Sequence, residues 1–452
     1  MTARNLYDYD VIVVGAGPAG MFATHELLNQ NPKLKIALIE KGNRIGDRKK
    51  NEIMEGFGGA GTYSDGKLHY TPILSHQKAL SLISVHDYVK IIDQVDNIFT
   101  QFGVNEPYYP KGNGKVEELV EEAQRNDIKL YVRKTRHVGT DKLKKIVEKI
   151  EKYFEDQGVD ILDKTTVIDL IIEQGGCKGV VIKPKKRIRA KQVVIAPGRI
   201  GALWLQDLSK KHGIEYVYDK IEVGVRVEFP EAVMRKHADL MYEPIFELRT
   251  RSFDDIIRTF CPCPHGMVAI EEYRGYVCVN GHTNSKHDSL NSNFAFVTEI
   301  ELTDPLENTT LYAQSIAELT TTLGGGKPIL QRLADLRAGR RSTWTRIDKS
   351  YIEPTLKEVT PGDISMGLPY RIVKNILEGL ERLDLVLPGV NSGSTLLYAP
   401  EVKYRGSRIM TNKNLQTKYK GLFMAGDGAG VSGNIIGAAA TGIMAARGML
   451  SQ

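Results

Sequence analysis

Two acidic residues near opposite ends of a 452-residue chain each follow a glycine turn. Glu40 closes "VIVVGAGPAGMFATHELLNQNPKLKIALIE", 20 residues after the last glycine of Gly15-x-Gly17-x-x-Gly20. Asp427 stands in "GLFMAGDGAGVSGNIIGAAATG", directly after Gly426, as the sole acid of that stretch. Around the first turn, Val11 to Val14 is a run of β-branched residues suited to a strand buried on both faces. Gly15 permits a tight turn, Gly17 lets a diphosphate approach the backbone, and Gly20 lets the following helix pack close to the strand, with Pro18 and Ala19 completing the turn. Phosphates at a helix N-terminus meet free N–H groups and the positive end of the helix dipole. Glu40, at the end of a second predicted strand, is placed to accept hydrogen bonds from a ribose diol, and Lys41 and Arg48, close behind it, are expected to bind the cofactor as well. A dinucleotide is the expected ligand; a glycine turn without a ligand is the alternative.

The second turn decides which dinucleotide. "LQTKYKGLFMAGD" resembles the second FAD fingerprint of the glutathione-reductase-like flavoproteins, with Thr417, Gly421, Leu422, Phe423, Ala425, Gly426 and Asp427 matching in order. The resemblance implies that this strand joins the N-terminal sheet and that Asp427 binds the ribityl hydroxyls of FAD, a task that suits an acceptor-only carboxylate. It further implies that Gly433, Asn434 and Ile435 open a helix whose N–H groups face the flavin pyrimidine edge, where they would stabilise negative charge at N1 and O2. A glycine/alanine helix contact alone would not explain the aspartate.

Between the ends, "RIRAKQVVIAPGRIG" reads as a buried strand, Val193 to Ile195, and a sharp turn, Ala196-Pro197-Gly198. Flavoproteins of this group often carry a threonine where Pro197 stands, so a close backbone approach is expected there rather than a hydroxyl contact. Upstream, the pair Gly175-Gly176 marks a hairpin between two strand-like runs. By resemblance Val167 passes near the adenine. "EGFGGAGTYSDGKLHY" (55–70), "RHVGTDKL" (136–143), "TFCPCPHGMV" (259–268) and "TLLYAPEVKY" (395–404), taken with the terminal motif, resemble a large family of FAD-dependent dehydrogenases, mostly uncharacterised. These are relatives of geranylgeranyl reductases and of the para-hydroxybenzoate hydroxylase fold, and the resemblance runs from about residue 8 to the end. It implies a glycine loop along the flavin, with Gly59, Ser64, Asp65 and Gly66 near the cofactor. Lys67 would then place a positive charge near the reduced flavin or a carboxylate substrate; an exposed lysine closing the loop is the other reading.

"CPCPHG" sets Cys261, Cys263 and His265 within five residues. The Cys-x-Cys spacing, with no second ligand pair, does not suit zinc, and no metal is expected. A structural turn is favoured over a redox dithiol, and His265 joins Lys67 as a candidate catalytic residue. Four scattered cysteines make no disulfide framework, which suggests a reducing compartment, with the cytoplasm expected. The first residues resemble neither a signal peptide nor an anchor, and the weakly apolar run before Arg447 suits a helix against a sheet better than a membrane span. A net charge of +6 on this length argues against a nucleic-acid partner, and the basic run Lys183 to Arg189 reads as an exposed hairpin edge.

The expected fold is α/β: a Rossmann-type, glutathione-reductase-like FAD-binding domain that is discontinuous (1–75, 127–205 and 361–452). A helical insertion or cap (76–126) and a mixed-sheet substrate domain (206–360) complete it. The expected activity is hydride transfer between flavin N5 and a small organic substrate, as a dehydrogenase or C=C reductase. With one complete GxGxxG turn, electrons would come from transient NAD(P)H or a donor protein. A flavin monooxygenase is the alternative within the fold, and an RNA-binding or tRNA-modifying flavoprotein the alternative of another class.

Overall fold

The computed structural model describes residues 6–49, 52–64, 66–273, 275–283, 289–300, 302, 308–403 and 407–451; Asp65 lies outside them. The chain forms two compact units, Met1–Pro107 with Thr135–Asp219 and Arg405–Gln452, and Tyr108–Lys134 with Lys220–Tyr404.

Along the chain, the first unit runs β1 (Tyr9–Val14), α1 (Pro18–Gln30), β2 (Ile36–Ile39), β3 (Lys67–His69), α2 (Val85–Gln101), β4 (Thr135–His137), α3 (Thr140–Asp156), β5 (Asp160–Leu162), β6 (Val167–Glu173), β7 (Gly176–Ile182), β8 (Lys186–Ile195), α4 (Ala202–His212), β9 (Leu422–Met424) and α5 (Ile435–Leu450). Its main sheet has the order β5-β2-β1-β8, all parallel, and β9 adds in parallel to β8 with Val193 opposite Leu422. Val11 to Val14, Ile36 to Ile39 and Leu422 to Met424 are buried, as strands covered on both faces require. The N-terminal half of β8 leaves this sheet to form an antiparallel meander with β7 and β6. Gln174 and Gly175 turn the β6–β7 hairpin with φ of 50° and 71°, so the left-handed turn sits one residue earlier than the glycine pair itself.

α1 and α5 pack against each other beside this sheet. A Cβ on Gly442 would come 2.1 Å from the Ala19 carbonyl oxygen, so a glycine is required for the helices to approach this closely. α2 adds to the pair: Phe99 lies 4.9 Å from Phe22 of α1, and the buried Glu26 accepts from Gln94 Nε2 at 2.7 Å and Arg447 Nε at 2.8 Å.

The second unit is built on an eight-stranded sheet in the order 129–131, 245–249, 256–263, 291–300, 221–230, 396–403, 329–332 and 360–361, antiparallel except for the last pair. The helix Tyr370–Leu383 covers it with Ile372, Val373, Ile376, Leu380 and Leu383, an apolar stripe at helical spacing.

The units divide the chain differently from the expected domains. Residues 361–404 fall in the second unit because Leu396–Lys403 is a central strand of its sheet, paired with both Ile221–Pro230 and Ile329–Arg332. Residues 206–219 fall in the first, where Gln206 Nε2 donates to Ser407 Oγ and the His212 carbonyl accepts from Tyr419. The expected helical insertion is split: α2 lies on α1, while Asn113–Arg125 belongs to the second unit.

Gly442→Ala should destabilise the protein by about 1–3 kcal/mol, the usual cost of overpacking a close contact. Gly46→Ala, where nothing lies within 4 Å of the added carbon, is the control for urea unfolding.

Candidate functional site

Four glycine-bearing turns meet at the C-terminal ends of β1, β8 and β9. A Cβ on Gly15 would lie 2.2 Å from the Ala196 carbonyl oxygen, and one on Gly428 would lie 2.3 Å from the Gly198 carbonyl oxygen. The first turn therefore packs on Ala196-Pro197-Gly198, which packs on the last turn. The fourth, residues 56–61, reaches both helix ends: a Cβ on Gly59 would stand 3.0 Å from the Gly17 Cα, and one on Gly61 within 3.5 Å of both Ile435 and Pro18. The N-termini of α1 and α5 thus converge on one glycine loop.

α1 starts at Gly17 without a side-chain cap and has no acid in its first turn, so its end is open to an anion. α5 is capped by Asn434, whose Oδ1 accepts from Gly437 N–H at 2.7 Å. Asn434 Nδ2 donates to His76 Nε2 at 2.9 Å, leaving His76 Nδ1 to donate to the Tyr88 hydroxyl, also at 2.9 Å. Leu74 and Ser75, just before His76, have φ of 46° and 58°, a strained pair for non-glycine residues. Ser75 is where a Cβ on Gly433 would strike, at 3.0 Å.

Glu40 is nearly buried and ties three loops together. Its Oε2 accepts from Ala16 N–H at 2.9 Å, and its Oε1 from Gly42 N–H at 2.9 Å and Gly56 N–H at 3.0 Å. A carboxylate has about four acceptor positions, so about one is left for a ribose hydroxyl. The expected ribose ligand is thus also the clasp between the first turn and the glycine loop. Arg48 faces the loop as well: Nη1 donates to the Phe57 and Gly59 carbonyls at 2.8 and 3.0 Å, Nη2 to those of Glu52 and Ile53 at 2.7 and 3.1 Å. Four neutral acceptors around one guanidinium make it a brace for the loop. Lys41 turns outward to pair with Glu55.

Asp427 Oδ1 accepts from Ser432 Oγ at 2.5 Å, and Arg199 Nε lies 3.5 Å from Oδ2. Burial pushes the Asp427 carboxyl above its ordinary value, and Arg199 and Ser432 draw it partly back. Ser64 Oγ donates to the Gly61 carbonyl at 2.7 Å, fixing the glycine loop from within, and Gly66 packs on Gly139. Val167 begins β6, two residues after Thr165, whose N–H donates to the Glu40 carbonyl at 2.9 Å.

Lys67 is 4% exposed, in β3 opposite His137, so the reading of an exposed lysine does not hold. His265 lies in the second unit, its Nδ1 3.2 Å from the Ser289 carbonyl oxygen and its Nε2 3.8 Å from Glu231. Among the described residues, no group of three or more His, Cys, Asp or Glu is placed to hold a metal, and no helix is long and apolar enough to cross a membrane. The sequence reading missed Arg199, Ser432, His76 and Tyr88. Arg199 directly follows a recognised turn and Ser432 sits within one; nothing near His76 marks it.

Residues 220–404 match the family described as "FAD-dependent protein, C-terminal domain-like", 75–221 the "FAD binding domain" and 13–59 the "NAD(P)-binding Rossmann-like domain". An uncharacterized protein of Clostridium beijerinckii is 25% identical over 98% of this chain and 80% of its own. A stretch of 37 residues, 8% of each chain, is 54% identical to mitochondrial L-2-hydroxyglutarate dehydrogenase of Dictyostelium discoideum. Glycine oxidase from Geobacillus kaustophilus is 12% identical in sequence, with 98% of this chain and 95% of that one aligned at a TM-score of 0.45.

The two acids should respond oppositely to neutralisation. Glu40→Gln turns an amide N–H₂ toward a backbone N–H and should cost roughly 1–3 kcal/mol, as for an orphaned buried donor. Asp427 is harder to ionise folded than unfolded, so it costs stability as pH rises through the ordinary aspartate range and above. Asp427→Asn should leave the flavin-free protein at least as stable as wild type near neutrality, the two converging in acid, as measured by urea unfolding across pH.

The matched segments and the joined glycine turns agree: the chain is an FAD-binding protein with a Rossmann-type domain.

Proposed function

We propose that the enzyme transfers a hydride between flavin N5 and a small organic substrate, as a dehydrogenase or C=C reductase. The observation that carries this reading is the junction of the two terminal glycine turns, Gly15–Gly20 and Gly426–Asp427, on the two strands that flank β8. Bound FAD supplies the hydride chemistry itself.

The chain's residues then divide the work of holding that cofactor. Gly15, Gly17, Pro18, Ala19 and Gly20 present the uncapped end of α1 to the diphosphate. Glu40 offers its remaining acceptor position to the adenosine ribose, with Val167 beside the adenine. Gly426 and Asp427 face the ribityl chain; a carboxylate held up by burial gains from hydroxyl donors that arrive with the ligand. Ala196, Pro197 and Gly198 form the wall behind them. Gly59, Ser64 and Gly66 shape the glycine loop on which the flavin lies, and Lys67 stands at its end. Gly433, Asn434 and Ile435 direct the N-terminus of α5 at the flavin pyrimidine, where the helix dipole favours negative charge. His76 acts as a positioning residue, since its Nε2 fixes the amide of the cap.

The match to an NAD(P)-binding family covers the same turn, 13–59, as the FAD site. Any NAD(P)H would therefore dock transiently, or a donor protein would supply the electrons.

Purified protein should be yellow, and anaerobic mixing with NADH, NADPH or a reduced carrier should bleach it. Recovery of the colour with a candidate acceptor under nitrogen supports the proposal; oxygen uptake coupled to hydroxylation of an aromatic would replace it with monooxygenation. His76→Phe should weaken FAD binding roughly 10-fold, the equivalent of one buried hydrogen bond, and lower the flavin midpoint potential. An unchanged potential and affinity would remove His76 from the site.

A further inference from the structure

The second unit holds a pair of sulfurs arranged unlike the other two. Cys177 and Cys278 are buried, and burial pushes the Cys177 thiol up to about 11 and the Cys278 thiol well above its ordinary range. Both stay protonated and shielded. Cys261 is partly exposed, and Cys263, two residues on, is fully buried.

A β-bulge sets this pair apart from the strand around it. Phe260 lies opposite Ala295 and Cys263 opposite Asn293, so three steps on one strand face two on the other. Cys261 takes up the difference with a φ of 46°. Its carbonyl then points toward its neighbour: Cys263 Sγ lies 3.5 Å from the Cys261 oxygen.

Arg226, with no exposed surface, clips the two residues together. One nitrogen, Nη2, donates both to the Cys261 carbonyl at 2.7 Å and to Cys263 Sγ at 3.2 Å, while Nε is fixed by Asn293 Oδ1 at 2.8 Å. Glu401 lies 3.8 Å from Nη1 and is bound at 2.5 Å by Lys403, so its charge is shared between two cations. Arg133 and Lys403 both interact electrostatically with Cys261. Room is kept clear for the cluster: a Cβ on Gly281 would lie 1.7 Å from Arg226 Nη2 and 2.7 Å from Cys263 Sγ, and one on Gly266 would lie 2.6 Å from Cys263 Cβ.

We infer that Cys261 and Cys263 are a redox-active dithiol that closes reversibly to a disulfide, with Cys261 meeting an external organic disulfide and Cys263 closing the ring. The Cys261 thiolate attacks one sulfur of R–S–S–R; a Cys261–S–R bond forms, the external S–S bond breaks, and the first thiolate leaves. Cys263 then attacks Cys261 Sγ, the Cys261–S–R bond breaks, and the second thiolate leaves. The protein gives up two electrons, the external disulfide takes them, and the two thiol protons end on the two released thiols. A guanidinium N–H on Cys263 Sγ stabilises the anionic sulfur that makes the second attack. Partial exposure of Cys261 decides which sulfur reacts first.

The test uses the full-length holoprotein, reduced, desalted and treated under native conditions with 5,5′-dithiobis(2-nitrobenzoic acid). Wild type should release two equivalents of thionitrobenzoate per chain and lose two hydrogens in intact mass, with no adduct retained. Trypsin should then place the bridge in the single peptide Thr259–Arg274, which contains Cys261 and Cys263 and neither other cysteine. Dithiothreitol should restore the original mass. Cys263→Ser should release one equivalent and keep the adduct on Cys261, and Cys261→Ser should release none. The wild-type mass alone overturns the inference if the adduct persists on Cys261, if no thiol reacts, or if Cys177 or Cys278 reacts instead.

Discussion

The first unit depends on the close approach of α1 and α5. Helices joined by larger residues would stand further apart, and their N-termini would no longer converge on the same loop. At Gly442 a single added carbon would come within 2.1 Å of the Ala19 carbonyl oxygen, so the distance is set by backbone rather than by side-chain packing. β1, β8 and β9 then place the turns that precede these helices side by side, because the three strands are neighbours and parallel. Sequence distance becomes irrelevant: residues 15–20 and 426–437 share one end of one sheet. The clasp of FAD by the two ends of the chain, as proposed above, rests on that adjacency.

Around this junction, charged side chains hold the structure through backbone groups. Glu40 accepts three N–H groups, and Arg48 donates to four carbonyls, together fixing the glycine loop between Glu52 and Gly59. Such a loop has few side chains with which to hold itself, and its glycines lose more entropy on ordering than other residues do. Two buried charges that saturate its backbone supply the order. Either charge left without its partners would be costly to bury, which ties the integrity of the loop to both residues.

The second unit buries charge by a different rule. Arg258 pairs with Glu222 through two nitrogens, Arg133 pairs with Glu243, and Arg226 and Lys403 share Glu401, all within or beside one sheet. Desolvation makes such pairs weak contributors to stability, but removing one member is expensive, so they restrict which registers the strands can adopt. The bulge at Cys261 sits among them. A guanidinium held by Asn293 and Glu401 is a fixed donor, and a fixed donor beside sulfur is a chemical feature as much as a structural one.

The local signals read from the sequence were those with a compact physical cause. Gly15, Gly17, Gly20 and Glu40 follow from the demands of one strand–turn–helix unit. The hairpin at Gly175-Gly176 and the β-branched run at Val11 follow from backbone preference and burial. The second fingerprint told that residues 421–427 belong beside residues 11–20, and the structure places them so. Pairing across long sequence distances was not legible. Leu396–Lys403 reads as a strand in either unit, and only its hydrogen bonds to Ile221–Pro230 assign it to the second. His76 carries no local pattern, because its role comes from Asn434, 358 residues away. Nothing beside Arg48 in the sequence shows the four carbonyls that its guanidinium gathers from residues 52–59. The sequence by itself determined the turns, their helices and the cofactor class, since those rest on neighbouring residues; tertiary structure alone decided which charges meet, since that depends on where the chain returns.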